Sequence, residues 1–459
     1  MAAILLFLGV CISAVTKKPG WLVKFRGILR LVLVSTGVAI PLFVVGVFIT
    51  VFILKHDSLQ PQTSFFGAAF YCSLLPAWLL VQTGDGILSN RAENSSFLKL
   101  TQQISVRLFI RLLKLVGLII VANIITGWFL SQQGLGLLLI QRLASRDFPV
   151  IFGIVWVLVI IVVLAKLAAE LIEIAYNHFT GQTAVIEPAA EKPAVKNGIP
   201  KGWLMFSLVF CALFLFLAVF GPLLAPNAKM IDLHNILQPP SVQHLLGTDQ
   251  LGRDIFSRLV AGSRTDIFIG LAVAAVVPIV AAGWAMLAAN CRRMDSWWGD
   301  TLEDIVMLPR DIICAFPWLV LLLVLMSLMT NRGSIFVALT TGLVILPRAA
   351  GMMQEAYRSP QQRINWRQIV LRVMPWVFVF TAAAVMLYIS TISNFGFGMP
   401  PTIIELGNLA NSGSTFLPQL VTAPLVVLSL ILIVGVITGE ALAERFGFHS
   451  GVFWSKMLE

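Results

Sequence analysis

HLLGTDQLGRDIFSRLVAGSRTDIFIG, residues 244 to 270, is a dense polar and charged stretch in an otherwise apolar chain. It lies between two segments that are each long enough to cross a lipid bilayer. Asp249, Arg253 and Asp254 are costly to place in hydrocarbon, so we expect this stretch to lie at a membrane surface. The sequence therefore predicts a polar connection between two membrane-spanning helices.

Turn and helix signals follow one another in this stretch. Gly247 and Gly252 allow backbone turns that would strain other residue types. Residues 254 to 260 are predicted to form a short amphipathic helix, with apolar residues on one side and Arg258 on the polar side. Two interpretations stay open: the helix docks a partner, or it simply folds against the neighbouring spans.

The composition of the whole chain indicates an all-α, polytopic membrane protein. Of its 459 residues, 58% are apolar and only 12% are charged, and the mean hydropathy is +0.91. A hydrocarbon core about 30 Å thick needs roughly 20 apolar residues in a helix, and the chain offers about eleven such runs. The predicted spans are residues 2 to 15, 31 to 54, 65 to 82, 115 to 131, 149 to 175, 203 to 225, 266 to 290, 305 to 329, 334 to 352, 375 to 395 and 417 to 440.

Basic residues predict the orientation of these spans, because lysine and arginine remain in short cytoplasmic loops. In the first half they are Lys17, Lys18, Lys24, Arg26, Arg30, Arg91, Lys99, Arg107, Arg111 and Lys114, and in the second half Arg292, Arg293, Arg348, Arg358, Arg363, Arg367 and Arg372. This alternation places residues 244 to 270 and 396 to 416 outside and the C-terminal tail in the cytoplasm. The net charge of +10 is thus a topology signal, and we expect no nucleic acid partner.

A linker is predicted to divide the chain into two membrane units. Residues 181 to 202, GQTAVIEPAAEKPAVKNGIPKG, have the composition of a solvated cytoplasmic connection. The predicted organisation is an N-terminal unit of about five helices (1 to 180), the linker, a C-terminal unit of about six helices (203 to 445) and a tail (446 to 459). A glycine pair opens the last outside loop of each unit, at Gly134 and Gly136 and at Gly396 and Gly398, which indicates a duplicated unit.

The sequence contains no motif for catalysis or for a bound cofactor. Its five cysteines are scattered without a C-x-x-C pair and its five histidines lack ligand spacing, so we expect no metal site. It has neither a G-x-x-x-x-G-K-[ST] phosphate loop nor a G-x-S-x-G nucleophile elbow. We therefore expect no enzyme activity and no cofactor, and any ATP hydrolysis would fall to another subunit.

Several motifs resemble one transporter family. Residues 203 to 445 resemble the permease subunit of dipeptide, oligopeptide and nickel ABC importers in LGTDQLGRDIFSRLVAGSR, in AFPWLVLLL from Ala315 and in PPTIIELGNLANSG from Pro400. The first half resembles the partner permease in SAVTKKPGWLVKFRGILRLVLVSTGVAIP from Ser13 and in QQGLGLLLIQRLASRDFPVIFG from Gln132. The chain thus resembles a fusion of two permeases that usually form a heterodimer, with a first half shortened at its N-terminal end.

This resemblance implies a multi-pass permease of a prokaryotic inner membrane that forms the pathway for peptides or for nickel and other metal chelates. It implies membrane lipid as surroundings, ATP-binding subunits on the cytoplasmic side and an extracytoplasmic substrate-binding protein. It also implies that the outer stretch is a gate-side contact with that binding protein. The residues of this contact would be Gly247, Thr248, Asp249, Gly252, Arg253, Asp254 and Arg258.

The cytoplasmic loop of the second unit departs from the family. Members carry an E-A-A-x-x-x-G pattern whose short helix docks on the ATPase, whereas residues 347 to 375 here are shorter and lack the glycine. Pro360 would also interrupt a helix at this place. The candidate coupling residues are Glu355, Ala356, Tyr357, Arg358, Arg363 and Arg367. The altered loop keeps a second function open, a degenerate permease retained as a structural or assembly subunit of an unrelated membrane complex.

Polar residues on the fourth and tenth spans are candidates for lining a central path. They are Asn123, Thr126, Ser390, Thr391, Ser393 and Asn394, which would face one another if the two units are pseudo-symmetric. Ordinary hydrogen bonding between helices is the alternative. A secondary transporter driven by ions is a third function, and the sequence argues against it because we expect no buried carboxylates on the central spans.

Overall fold

The computed structural model describes residues 134–180, 201–224, 228–292, 298–329, 332–358, 366–413 and 418–445, with a few positions between 109 and 124. The helices in these ranges are α1 (Leu135–Ser145), α2 (Phe148–Thr180), α3 (Lys201–Leu224), α4 (Ile255–Arg292), α5 (Trp298–Ala315), α6 (Trp318–Leu328), α7 (Ser334–Arg358), α8 (Trp366–Gln368), α9 (Met374–Asn394), α10 (Leu406–Gly413) and α11 (Pro418–Arg445). A π-helical turn, Ile369–Val373, joins α8 to α9. The described residues contain no β-strand beyond one isolated bridge between Thr248 and Asp254, so the all-α prediction is confirmed.

Five of the described helical segments are long and apolar enough to cross a membrane, and a bent pair would make six. The five are Phe148–Tyr176, Ile255–Arg292, Ser334–Gln354, Val370–Asn394 and Ala423–Ala443. Each overlaps a span predicted from hydropathy, and the chain is a polytopic membrane protein. The predicted spans at 2 to 15, 31 to 54 and 65 to 82, and most of that at 115 to 131, lie outside the described residues.

Helix α4 is the centre of the C-terminal unit. It contains 38 residues and packs against α3, α5, α7, α9, α10 and α11. Ala274, Ala281 and Ala285 are buried along it. Small side chains let helices approach closely where lipid offers no hydrophobic driving force between them. The alanines therefore explain how one helix can contact so many neighbours.

The short helix predicted at residues 254 to 260 is not a separate element. It forms the first turns of α4, which continues from Ile255 through the membrane to Arg292. The polar residues that follow the predicted helix, such as Ser263 and Thr265, do not end it, because each hydroxyl donates to the backbone carbonyl four residues earlier, at 2.8 Å and 3.1 Å. The prediction of an independent surface helix was wrong.

The span predicted at 305 to 329 is broken. Helices α5 and α6 meet at an angle of 86°, on either side of Phe316 and Pro317. Proline lacks the N–H needed to continue a helix and restricts the residue before it, so α5 ends at Ala315 and α6 begins after Pro317. A single straight span was therefore the wrong expectation for this segment.

The described part of the first unit consists mainly of α1 and α2. A left-handed residue, Arg146, ends α1, and an ion pair of 3.3 Å between Arg142 and Asp147 closes the turn into α2. Helix α1 contacts α6 and α2 contacts α5, so the described helices of both predicted units touch. The division at residues 181 to 202 stays a prediction, because residues 181 to 200 lie outside the described part of the chain.

Candidate functional site

The outer stretch folds around the carboxylate of Asp249. Its Oδ1 accepts hydrogen bonds from the backbone N–H groups of Leu251, at 2.9 Å, and Arg253, at 3.0 Å. Its Oδ2 accepts from Arg253 Nε at 2.8 Å and pairs with the buried guanidinium of Arg258. Burial opposes ionisation of Asp249, but these donors outweigh it and hold the pKa of Asp249 below its ordinary value.

The two glycines of the stretch are required by its turns. Gly247 has φ +81° and Gly252 has φ +68°, both in the left-handed region. A Cβ at Gly252 would lie 1.7 Å from the carbonyl oxygen of Asp232, and one at Gly247 would lie 2.4 Å from that of Gln238. Both contacts are to backbone, so no side-chain movement could relieve them.

The side chains of Thr248 and Asp254 form hydrogen bonds to the backbone at the two ends of the same turn. The Thr248 hydroxyl accepts the backbone N–H of Gln238 at 2.8 Å and donates to the carbonyl of Asn235. Asp254 Oδ2 accepts the N–H of Ser257 at 2.7 Å, as an N-cap of α4 does. His244 lies 3.2 Å from the other oxygen of Asp254.

The predicted contact residues are therefore brought together, but their polar groups are largely bonded within the turn. Of the two interpretations of this stretch, the geometry supports the folding role directly. The surface that remains for a partner comes from the surrounding loop. Met230, Ile231, Leu233, Val242 and Leu245 are well exposed there, beside exposed polar residues such as His234, Gln238 and Gln243. Contact with another protein stays a prediction for this surface.

At the other end of α4 lies a polar network of the inner helices. Gln354 on α7 donates to Glu303 of α5 at 2.6 Å and accepts from Arg310 at 2.6 Å. Arg292, the last residue of α4, lies 3.7 Å from the second carboxylate oxygen of Glu303. Glu303 and Gln354 are buried, so the network ties the ends of three helices together.

The candidate coupling residues adjoin this network. Glu355, Ala356, Tyr357 and Arg358 form the last turn of α7 rather than a loop, and Ala356 is buried. Arg367 is exposed on α8, and Arg363 lies outside the described residues. Residues 359 to 365, between α7 and α8, lie outside the described residues, and the rest of the stretch from 347 to 375 is helical.

The candidate pathway residues of α9 form a buried polar cluster. Ser390, Thr391, Ser393 and Asn394 are all at most 4% exposed. The Thr391 hydroxyl donates to the carbonyl of Leu387 at 2.7 Å, within its own helix. Asn123 and Thr126 lie outside the described residues, so their predicted place opposite this cluster stays a prediction.

Two carboxylates that the sequence analysis missed lie against this cluster. Asp266 of α4 and Glu405, just before α10, are both fully buried. Ser390 lies beside Asp266 and Ser393 lies beside Glu405. The expectation that the central spans lack buried carboxylates was wrong. An ionisable residue inside an apolar run indicates a functional site, and Asp266 in TDIFIGLAVAAVV is such a residue.

Comparison with curated proteins identifies the relatives of this chain. The oligopeptide transport system permease protein OppC of Bacillus subtilis is 28% identical to it over 238 residues, which cover 48% of this chain and 75% of that protein. The dipeptide transport system permease protein DppC of the same organism is 28% identical over 236 residues, which cover 47% of this chain and 71% of that protein. This chain is homologous to the permeases of peptide ABC transporters.

The similarity to these permeases supports a transmembrane permease role. No family model matches the chain. The matched length is close to that of the predicted C-terminal unit, residues 203 to 445. Homologous permeases and several apolar helices together indicate a multi-pass inner-membrane protein, and its relatives are transport subunits rather than enzymes. A fusion of two permeases stays a prediction.

Proposed function

We propose that this chain forms the substrate pathway of an ATP-driven importer of short peptides, with two permease-like units in one polypeptide. Its homology to the oligopeptide and dipeptide permeases carries the proposal. The placement of polar groups supports it, because buried hydroxyls of α9 and two carboxylates meet inside an otherwise apolar bundle. Ionisable residues inside a membrane bundle are rare, and they mark substrate and ion pathways.

We place the turn around Asp249 outside and the network around Glu303 inside, as the basic residues indicate. α4 joins the two, because it begins at the turn and ends at Arg292 beside the network. A continuous helix of this kind can link events on the two membrane faces. The proposed cycle is alternating access, in which substrate meets an outward-open state and leaves from an inward-open state.

The proposed outer partner is a substrate-binding protein that delivers the peptide. Its contact surface would be the exposed apolar side of the loop before α4, where Val242 is 97% exposed and Leu245 is 60% exposed. The polar residues around Asp249 would then hold the shape of this surface rather than touch the partner. We expect Val242→Glu to weaken peptide uptake without changing thermal stability, and Val242→Thr to serve as the uncharged control.

The proposed inner partner is an ATPase subunit that meets the last turn of α7 and the exposed start of α8. Arg367 lies on that exposed surface, next to the short connection of residues 359 to 365. The buried network around Gln354 and Glu303 joins α7 to α5, and Arg292 joins Glu303 to α4. A displacement of the end of α7 by the ATPase would therefore be transmitted to α4.

The short connection also favours a second function. Only seven residues, 359 to 365, lie between α7 and α8, which leaves little free chain for a docking helix of the family's kind. The second function is a permease fold retained as a structural subunit of another membrane complex, with no ATPase bound.

Uptake of a labelled tripeptide by whole cells tests the proposed function. Cells of the native host that lack this chain should lose binding-protein-dependent uptake, and the wild-type chain supplied in trans should restore it. The Val242→Glu variant should restore it only in part, while Val242→Thr restores it fully. Unchanged uptake in cells that lack the chain would refute the transport proposal and favour the structural one.

A further inference from the structure

Asp266 and Glu405 meet in the interior of the C-terminal unit. Asp266 is in the fourth turn of α4 and Glu405 immediately precedes α10, and neither side chain is exposed. The backbone N–H of Leu406 donates to Asp266 Oδ2 at 3.2 Å, which joins the start of α10 to α4. The two carboxyls are close enough for each to influence the ionisation of the other.

Most of the carboxyl oxygens have no donor. Within the described part of the chain, Asp266 Oδ1 and both oxygens of Glu405 have no well-formed hydrogen bond, and the hydroxyls beside them are those of Ser390 at Asp266 and Ser393 at Glu405. The hydroxyls of Ser390 and Ser393, which are fully buried on the facing side of α9, also lack a partner among the described residues. Four side chains from α4, α9 and the start of α10 therefore direct unsatisfied polar atoms into one place.

The arginines of α4 do not neutralise this pair. Arg258 lies two turns before Asp266 and is paired with Asp249 in the outer turn. Arg264 is exposed, and its guanidinium carbon lies 5.5 Å from the ring centre of Phe268. Residues two positions apart on a helix do not share a face, so Arg264 points away from Asp266.

The neighbouring helices supply no counter-charge in the described residues either. Arg348 of α7 donates a hydrogen bond to the carbonyl of Val344 in its own helix, and its charge lies near Tyr388, the one titratable residue of α9. Cys211 of α3 is hydrogen-bonded to α11, and Arg445 of α11 is its last residue. On α5, Asp300 and Glu303 pair with Arg292 at the far end of α4. Helix α10 contains no titratable residue.

An unpaired carboxylate is expensive in such surroundings, and two are more so. A buried acid without counter-charge keeps its proton, and like charges at one site disfavour double ionisation. Burial first, and then the neighbouring Asp266, raise the pKa of Glu405 well above its ordinary value, against a smaller opposing effect of Ser393. Asp266 accepts the Leu406 N–H and is thus the better place for a remaining negative charge.

We propose that Asp266 and Glu405 form a proton-binding site of the membrane domain, which retains at least one proton at neutral pH while α10 is packed against α4. A proton needs only one carboxyl, and a protonated carboxyl gains an O–H that a serine hydroxyl can accept. A calcium ion would need six to eight oxygen ligands. No group of three or more His, Cys, Asp or Glu side chains suited to a metal occurs in the described residues.

Occupancy of the site depends on the contact between α9 and α10. A Cβ at Gly407 would lie 2.5 Å from the carbonyl oxygen of Ser390, so the glycine allows α10 to sit directly on α9. Movement of α10 away from this position would admit water to both carboxyls and release the proton. The site would thereby couple the position of α10 to pH, whichever substrate the permease carries.

Infrared spectroscopy of the purified full-length chain in lipid nanodiscs tests the proposal. The carbonyl stretch of protonated carboxyls, identified by its shift in D₂O, is compared at neutral pH between the wild type and three variants. We expect Asp266→Asn/Glu405→Gln to lose at least one carboxyl group's share of the band. Asp304→Asn, which changes an exposed acid of α5, should retain the band and serves as the control.

Glu405→Gln alone should lose the part of the carboxyl band that comes from protonated Glu405. Elution as a single species and an unchanged amide band show that each variant is folded. A double variant that keeps the full wild-type band would overturn the proposal. A wild-type band that disappears when Na⁺ replaces K⁺ would overturn it as well, in favour of a sodium site. The readout does not depend on transport, so it can fail while the permease proposal stands.

Discussion

Removal of the Asp249 carboxylate should destabilise the protein more than removal of any other acid in the outer turn. In Asp249→Ala, the guanidinium of Arg258 remains buried without its partner, and the N–H groups of Leu251 and Arg253 lose their acceptor. Breaking a buried ion pair by removing one partner costs about 3 to 5 kcal/mol. Leu251 is exposed and Arg253 is half-buried, so water can replace the lost acceptor of both N–H groups, which adds little to this cost.

We therefore expect Asp249→Ala to lose about 4 kcal/mol of unfolding free energy, at the middle of the range for a broken buried pair. Equilibrium unfolding of the purified chain in detergent, followed by circular dichroism, measures this quantity. Asp232→Ala is the matched control, because Asp232 lies in the same loop and its carboxylate accepts from the nearby His234 and Asn235. Its effect should be much smaller.

A second variant separates the buried charge from the loss of the turn. Asp249→Ala/Arg258→Met removes both charges, so it should be less destabilised than Asp249→Ala, since replacing both partners of a buried pair is often nearly neutral. Equal destabilisation of Asp249→Ala and Asp232→Ala would refute the reasoning. A double variant that loses as much as the Asp249→Ala and Arg258→Met variants added together would also refute it, because additive losses show that the pair is not coupled.

Three further predictions concern the backbone, the buried acids and the inner network. Gly252→Ala should cost at least about 2 kcal/mol of unfolding free energy, because it combines a left-handed φ with a clash against backbone, while Gly283→Ala, which meets no atom within 4 Å, should cost little. Thermal melts in detergent compare the two, and equal losses would contradict the geometry. Glu405→Gln should flatten the pH dependence of stability: the raised pKa means that the folded state holds a proton that the unfolded state has lost, so wild-type stability falls as pH rises above about 4.5. Melting curves across the pH range would contradict this if the variant and the wild type have the same slope. Gln354→Ala should cost about 1 to 3 kcal/mol of unfolding free energy, because buried Glu303 loses the amide donor. Gln354→Glu should cost more, because it places two carboxyls together. A melting curve like that of the wild type for either variant would contradict this prediction.

Hydropathy was enough to predict much of the fold. The apolar run at residues 149 to 175 became α2, and that at 266 to 290 became the membrane part of α4, because backbone groups in lipid must be satisfied within a helix. The break between α5 and α6 at Pro317 was not predicted. Helices in the same structure continue through Pro278, Pro309, Pro347 and Pro424, so a proline alone does not mark where a span breaks.

The candidate site was predicted less completely than the fold. The polar residues of the outer turn were recognised, but their bonds to one another depend on backbone geometry at Gly247 and Gly252, which a motif does not show. Asp266 and Leu406 are 140 positions apart in the chain, so only the packing of α10 on α4 brings Glu405 to Asp266. Asp266 alone could have been found, as an acid within an apolar span.

The composition of the native complex tests the central claim most directly. The tagged chain would be purified in mild detergent from its own membrane, its bound subunits identified by mass spectrometry, and ATP hydrolysis measured with and without a tripeptide and its binding protein. We predict a stable subunit with a Walker motif and hydrolysis that the loaded binding protein stimulates. A stable assembly without any nucleotide-binding subunit would contradict transport and leave a permease fold that serves as a scaffold.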